Sequence, residues 1–151
     1  MKKCCPHNPD AGLLLIRIGL AAVFIVHGWM KLSNIDATVG FFGSIGLPAL
    51  LAWAVAIIEF VGGIMVLFGL YTCVAGGLLA AVMIGAIVTV KGSMGFVGGY
   101  EFDLVLLLTA LGLASVGPGK YTACSLLSKK GADAAQGKSE GHGGGCCGGS
   151  H

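Results

Sequence analysis

The chain has 151 residues, with nine basic and seven acidic side chains against a hydrophobic share of 56% and a formal net charge of +2. An ordinary soluble domain is about 25% charged, so a charged share of 11% cannot coat a water-facing surface, and the chain reads as an integral membrane protein. No basic stripe is available to neutralise phosphates, which excludes a nucleic-acid binder, and disorder is excluded except at the ends.

A transmembrane helix needs roughly 20 mainly apolar residues, and four such spans fit. The first is expected from Leu13 to Leu32; it contains Arg17 and His27 and ends in Trp29-Met30-Lys31, a pattern unlike the charge-free core of a cleaved signal peptide. Between spans, Ser33 to Leu47, with Phe41-Phe42 and paired glycines, is expected to be a loop carrying an amphipathic segment in the interface. The second span is expected from Pro48 to Phe68, with the proline where a helix start tolerates it. The Gly69-Leu70-Tyr71-Thr72 break separates it from the third, Thr72 to Val90. The glycine-rich stretch Lys91 to Tyr100 is expected to dip into the bundle mouth. The fourth span runs from Glu101 to about Val116, where Gly117-Pro118-Gly119 stops it.

Short connections make the spans antiparallel neighbours, so the expected fold class is all-α, an integral membrane four-helix bundle. The expected organisation is an N-terminal segment 1–12, a transmembrane domain 13–121, and a flexible Cys/His/Gly-rich tail 122–151. An even number of spans puts both termini on one side. That side holds Lys2, Lys3, Lys120, Lys129, Lys130 and Lys138, the other only Lys31 and Lys91, so the lysine and arginine bias predicts cytoplasmic termini.

Ionisable groups within spans are costly and mark function or bundle organisation. Arg17 falls roughly 6 Å into the first span and Glu59 near the midplane of the second, so an Arg17–Glu59 ion pair is one reading; snorkelling of Arg17 with a protonated Glu59 is the other. Toward the opposite side, His27, Trp29 and Lys31 close the first span while Tyr100, Glu101 and Asp103 open the fourth. A His27–Glu101 imidazole–carboxylate pair would suit proton exchange. Trp29, Lys31 and Tyr100 read more simply as an interfacial belt. Gly62-Gly63 and Gly76-Gly77 remove side chains where helices approach, or where a flat ligand could lie.

The six cysteines fall as Cys4-Cys5, Cys73, Cys124 and Cys146-Cys147. There is no Cys-x-x-Cys, which argues against thioredoxin-like chemistry. Adjacent thiolates suit soft metals, and His7, His142 and His151 flank the pairs. A metal site on Cys4, Cys5, His142, Cys146, Cys147 and His151 is therefore a candidate, set against tails with no such role.

Taken together, Arg17-Ile-Gly19-Leu, Val26-His27-Gly28 with Lys31-Leu32, Phe41-Phe42, Gly46-Leu47-Pro48, Glu59-Phe60-Val61-Gly62-Gly63, Leu67-Phe68-Gly69-Leu70, Gly98-Gly99-Tyr100-Glu101 and Gly117-Pro118-Gly119 resemble the DoxX family of small bacterial membrane proteins. The resemblance covers roughly Leu13 to Tyr121. It implies a four-span protein of the bacterial inner membrane, similar to the small subunit of thiosulfate:quinone oxidoreductases and to members tied to thiol and oxidative-stress handling. The family's His-Gly, Glu-x-x-Gly-Gly and Tyr-Glu fall on His27-Gly28, Glu59 with Gly62-Gly63, and Tyr100-Glu101. Lys91-Gly92 departs from the pattern, where a histidine near the membrane edge is expected.

The function this implies is an accessory or quinone-facing subunit in thiol or sulfur redox chemistry. A quinone would sit near the midplane, Arg17 and Glu59 would set the local charge, and His27 with Glu101 would pass protons. Electrons would come from a protein partner or redox subunit, since the chain carries no haem, flavin or iron–sulfur signature. The rival readings are a soft-metal binding or transport module built on the cysteine pairs, and a structural membrane partner. Oligomeric state is not readable from the sequence.

Overall fold

The computed structural model describes residues 8–122. It is all-helical over that range, with five α-helices: α1 (Pro9–Ser33), α2 (Ile35–Ser44), α3 (Ala49–Phe68), α4 (Thr72–Ala86) and α5 (Glu101–Val116). α4 continues as a π-helical turn, Ile87–Lys91, and a non-helical turn through Val97 (φ −73°, ψ 119°) and Gly98 (φ 75°, ψ 2°) leads into α5. Four helical stretches, Pro9–Ser33, Ala49–Phe68, Thr72–Lys91 and Phe96–Val116, are long and apolar enough to cross a bilayer. Within hydrocarbon every backbone N–H and C=O must be satisfied inside the chain, and a helix does so without a neighbour.

Side-chain placement is that of a membrane protein. The buried stripe of α3 is Ala52, Ala56, Glu59, Gly62, Gly63 and Val66, and that of α4 is Thr72, Ala75, Gly76, Leu79, Ala80 and Met83. Small residues thus face inward, while large apolar ones such as Leu50 (79% exposed) and Leu15 (70%) face outward. Such an apolar exterior is untenable in water and ordinary against lipid, where association relies on close packing. α1 crosses α3 at glycines. A Cβ on Gly28 would lie 2.5 Å from Phe60 N, and one on Gly63 would lie 3.0 Å from Ile25 N. Across the bundle, a Cβ on Gly76 would lie 2.9 Å from Ala110 O, which brings α4 against α5.

The helix ends follow local chemistry. Pro9 opens α1 and Pro48 caps the start of α3. α3 ends at Gly69 (φ 70°) in a Schellman turn: Leu70 N–H donates to Met65 O at 2.9 Å and Gly69 N–H to Val66 O at 3.1 Å.

Two connections differ from expectation. The segment after the first span is a helix, α2, rather than a loop; none of its residues is fully buried, and it packs on α3 at the end of the bundle distant from the termini. Within the stretch 91–100 only part points inward: Lys91 lines the cavity described below, while Met94, Phe96 and Val97 are exposed and the turn at Val97-Gly98 sets the Phe96 and Tyr100 rings edge to face at 5.5 Å.

Candidate functional site

The end of the bundle where the described segment begins and ends is closed by Arg17. Its guanidinium is fully buried and does not meet Glu59. Nε donates to Val66 O at 2.9 Å, Nη2 to Leu67 O at 2.7 Å, and Nη1 to Pro118 O at 2.9 Å and to Tyr121 O. The last carbonyls of α3 are orphaned by helix geometry and carry its negative dipole end, so a cation with a planar fork of donors completes them. The expected Arg17–Glu59 pair fails on depth. Val66 and Leu67, whose carbonyls accept from Arg17, stand seven and eight residues beyond Glu59, roughly 10–12 Å along the axis. Arg17 therefore fastens α1 to the ends of α3 and α5. Lys120 N–H adds a bond to Asp10 Oδ1 at 3.1 Å on the same face.

The opposite half of the molecule holds the polar chemistry. Glu59 Oε1 accepts from Lys31 Nζ, which α1 presents near its C-terminal end. Asp103, in the first turn of α5, faces Lys91 at the end of the π-helical turn, with Nζ 2.7 Å from Oδ2. That is a charge contact outside hydrogen-bond geometry. In both pairs the carboxylate is buried while the lysine stays partly accessible, at 30% for Lys31 and 34% for Lys91.

Both pairs line one cavity of about 720 Å³ between α1, α2, α3, α4 and the start of α5. His27, Asn34, Thr38 and Thr89 supply its other polar groups. The rest of the wall is apolar: Phe41 and Phe42 from α2 with Ile45 just after it, Leu51, Val55 and Ile58 from α3, Leu78 and Val82 from α4, and Phe102 and Leu106 from α5. Leu51 and Leu78 on this wall are half-exposed. Ligand sites usually have this character, concave and largely apolar with a few fixed polar groups.

Of the residues singled out in the sequence, His27 and Glu59 reach this cavity and Glu101 does not. Glu101 Oε1 accepts from Gly98 N–H at 3.1 Å, closing the turn that starts α5, and no His27–Glu101 bond occurs. Tyr100 packs on Phe96. Gly62 and Gly63 are filled by protein, Leu79 against the first and Ile25 with Phe24 against the second, so they join helices instead of leaving a ligand groove. Cys73 is exposed and its Sγ donates to Ala114 O at 2.8 Å. Cys4, Cys5, Cys124, His142, Cys146, Cys147 and His151 lie outside the described residues. Among the described residues no group of three or more His, Cys, Asp and Glu could hold a metal ion.

Sequence reasoning missed Lys31, Lys91 and Asp103 as cavity residues. For Lys91 and Asp103 the available signal was a complementary charge at matched depth, since in antiparallel neighbours the end of one span and the start of the next lie at the same level; Glu59, mid-helix in α3, gave no such signal for Lys31.

The family model that matches this chain is DoxX, over residues 12–92, a range that holds Lys31, Glu59 and Lys91. The chain belongs to the DoxX family. Among its DoxX relatives, the Bacillus subtilis (strain 168) protein named "Putative oxidoreductase CatD" is 47% identical over 108 residues, covering 72% of this chain and 81% of that protein. "Inner membrane protein YqjF" of Escherichia coli (strain K12) is 31% identical over 124 residues, covering 80% of this chain and 95% of that protein. An uncharacterized membrane protein of Mycobacterium tuberculosis is 33% identical over 134 residues, covering 78% and 82%. No solved structure matches significantly. The α5 helix with Asp103 lies beyond the DoxX match and completes the cavity.

Proposed function

We propose that this DoxX protein is a bacterial inner-membrane subunit of a thiol or sulfur redox system, and that its cavity holds a quinone-class lipid. The observation that carries the reading is an apolar chamber of about 720 Å³ with two carboxylate–lysine pairs and His27 on its wall. The chamber's size lies in the range of pockets that enclose a ring headgroup and the first part of its tail. The aromatic side chains of Phe41, Phe42 and Phe102 suit a flat ring, and the oxidoreductase name of the Bacillus subtilis relative is consistent with redox chemistry.

A bound quinone would supply two-electron, two-proton chemistry in the membrane, with electrons delivered by a partner protein. The residues of the chain have the complementary tasks. Lys31 and Lys91 present N–H donors to ligand oxygens. Glu59 and Asp103 hold those ammonium groups in place within a low-dielectric wall, where a lone buried charge would be costly. His27, exposed on the cavity side of α1, is the group suited to exchanging protons with water.

The test is to purify the full-length protein in bilayer discs, measure bound quinone and bound metal, and repeat with Cys4, Cys5, Cys146 and Cys147 replaced by serine. Quinone retained in both preparations supports the reading. Stoichiometric metal lost with the cysteines makes soft-metal handling the main function instead, and absence of both ligands leaves a structural role.

A further inference from the structure

The two ion pairs on the cavity wall are layered in the same order. Lys31 and Lys91 line the chamber and are partly accessible, whereas the side chains of Glu59 and Asp103 are only 2% and 9% accessible. Glu59 Oε2 and Asp103 Oδ2 are sealed by protein. The carboxylates thus stand behind the ammonium groups, and a molecule in the chamber meets the cations first. Among the described residues no other acid lines the wall; its remaining polar groups are His27, Asn34, Thr38 and Thr89. Each lysine has three donors, of which Glu59 takes one from Lys31.

A layered pair has no net charge, but it has a direction. An anion about 3 Å from an ammonium, with the mated carboxylate about twice as far away, is attracted about twice as strongly as it is repelled. A cation in the same place meets the reverse balance. The low dielectric of the wall strengthens both effects. We infer that the cavity selects single-tailed amphiphiles whose head carries a negative charge on oxygen, with Lys31 and Lys91 as the charge-selecting residues. A single tail follows from size: a chamber of about 720 Å³ lies in the range that encloses a ligand of drug size, well short of a two-tailed phospholipid. This goes beyond the quinone-class reading and stands apart from it, because it fixes the sign of the head-group charge whichever class of amphiphile carries it.

The experiment varies charge at nearly constant shape. Full-length protein in phosphatidylcholine discs is titrated by calorimetry with 4-octylbenzenesulfonate, its neutral sulfonamide and the cationic 4-octyl-N,N,N-trimethylanilinium, each corrected for partition into empty discs. The expected order is sulfonate over sulfonamide by about tenfold or more, with the cation weakest. In Lys31→Met/Glu59→Met and in Lys91→Met/Asp103→Leu, which remove a whole pair and leave no lone buried charge, the sulfonate preference should fall severalfold while sulfonamide affinity holds. Equal affinities, a reversed order, or no binding of any of the three overturns the inference and reduces the pairs to helix fasteners. A preference unchanged in both folded double variants overturns the assignment to these lysines. The wild-type order decides the matter if neither variant folds. Decylquinone, titrated alongside, tests the quinone reading separately: its binding without charge selection leaves that reading standing and sinks this one.

Discussion

One guanidinium holds three segments of this chain together. Arg17 donates to the last carbonyls of α3 and to Pro118 and Tyr121 beyond α5, bonds that lysine cannot reproduce because a single ammonium cannot span carbonyls on two segments. Arg17→Lys keeps the charge and is expected to cost about 2 kcal/mol, read as a lowered thermal midpoint in bilayer discs; a wild-type midpoint would remove the fork argument. Gly69 is the matching residue. Its positive φ disfavours a side chain, and a Cβ would sit 2.5 Å from Arg17 Nη2, so Gly69→Ala is expected to cost more than the roughly 1 kcal/mol of an ordinary left-handed glycine. Both changes act on one contact, so their sum should exceed the double variant's loss. Nothing in the sequence named this partner set. Arg17 was visible as an intramembrane charge, but its acceptors are backbone carbonyls, which every residue has, and so carry no residue-type signal. Glu59 was visible for the same reason, and its mate was not. Counting depth from the span ends places a residue along the axis but leaves helix rotation open, and rotation is what turns Glu59 toward Lys31.

Helix pairing rests on where glycines are placed, more than on how many there are. Gly76 and Gly77 are adjacent in α4 and equivalent in composition, yet a Cβ on Gly76 meets Ala110 O at 2.9 Å and one on Gly77 meets nothing within 4 Å. Gly76→Ala is therefore expected to destabilise by about 1–3 kcal/mol through overpacking, while Gly77→Ala should be neutral or slightly stabilising because alanine favours helix. Equal midpoints for the two variants would mean that α4 and α5 do not meet as described. At the α1–α3 crossing, Gly28→Val would force a β-branched side chain against the Phe60 backbone three residues from Lys31. It should both lower stability and weaken ligand binding by pulling Lys31 from Glu59, two readouts that a lipid-facing control such as Gly19→Val, with open space around it, should move far less. At this scale the sequence was informative. Span ends marked by Pro48, Gly69 and Gly117 coincide with helix ends, because proline and left-handed glycine act locally. α2 was legible only as an amphipathic segment within a loop: Phe41-Phe42 marked it, but its glycines dilute the helical pattern, and α3, on which it packs, lies later in the chain.

The whole molecule is polarised along the membrane normal. The Arg17 fastening and both ends of the described segment, Asn8 and Thr122, occupy one end; the two carboxylate–lysine pairs and the cavity occupy the other half. The distribution of lysines in the sequence favours cytoplasmic termini. It does so more firmly given that Lys31 and Lys91, the cations on the opposite side, are both engaged with carboxylates. With that orientation the cavity belongs to the outer half of the membrane, and a redox partner using it would dock from outside. Thr38 decides the matter, since it lies on α2 and lines the cavity, whereas Cys73 sits exposed at the start of α4 near the terminal face. In a background with the native cysteines replaced by serine, Thr38→Cys is expected to react with a membrane-impermeant thiol reagent added to intact cells, and a variant retaining only Cys73 should react only after lysis. Occupying the cavity with a short-tailed quinone such as decylquinone should slow labelling at position 38, because Thr38 on α2 forms part of the wall that the ligand would cover. The reverse labelling pattern would turn the molecule over and place the cavity, with any partner that serves it, on the cytoplasmic side.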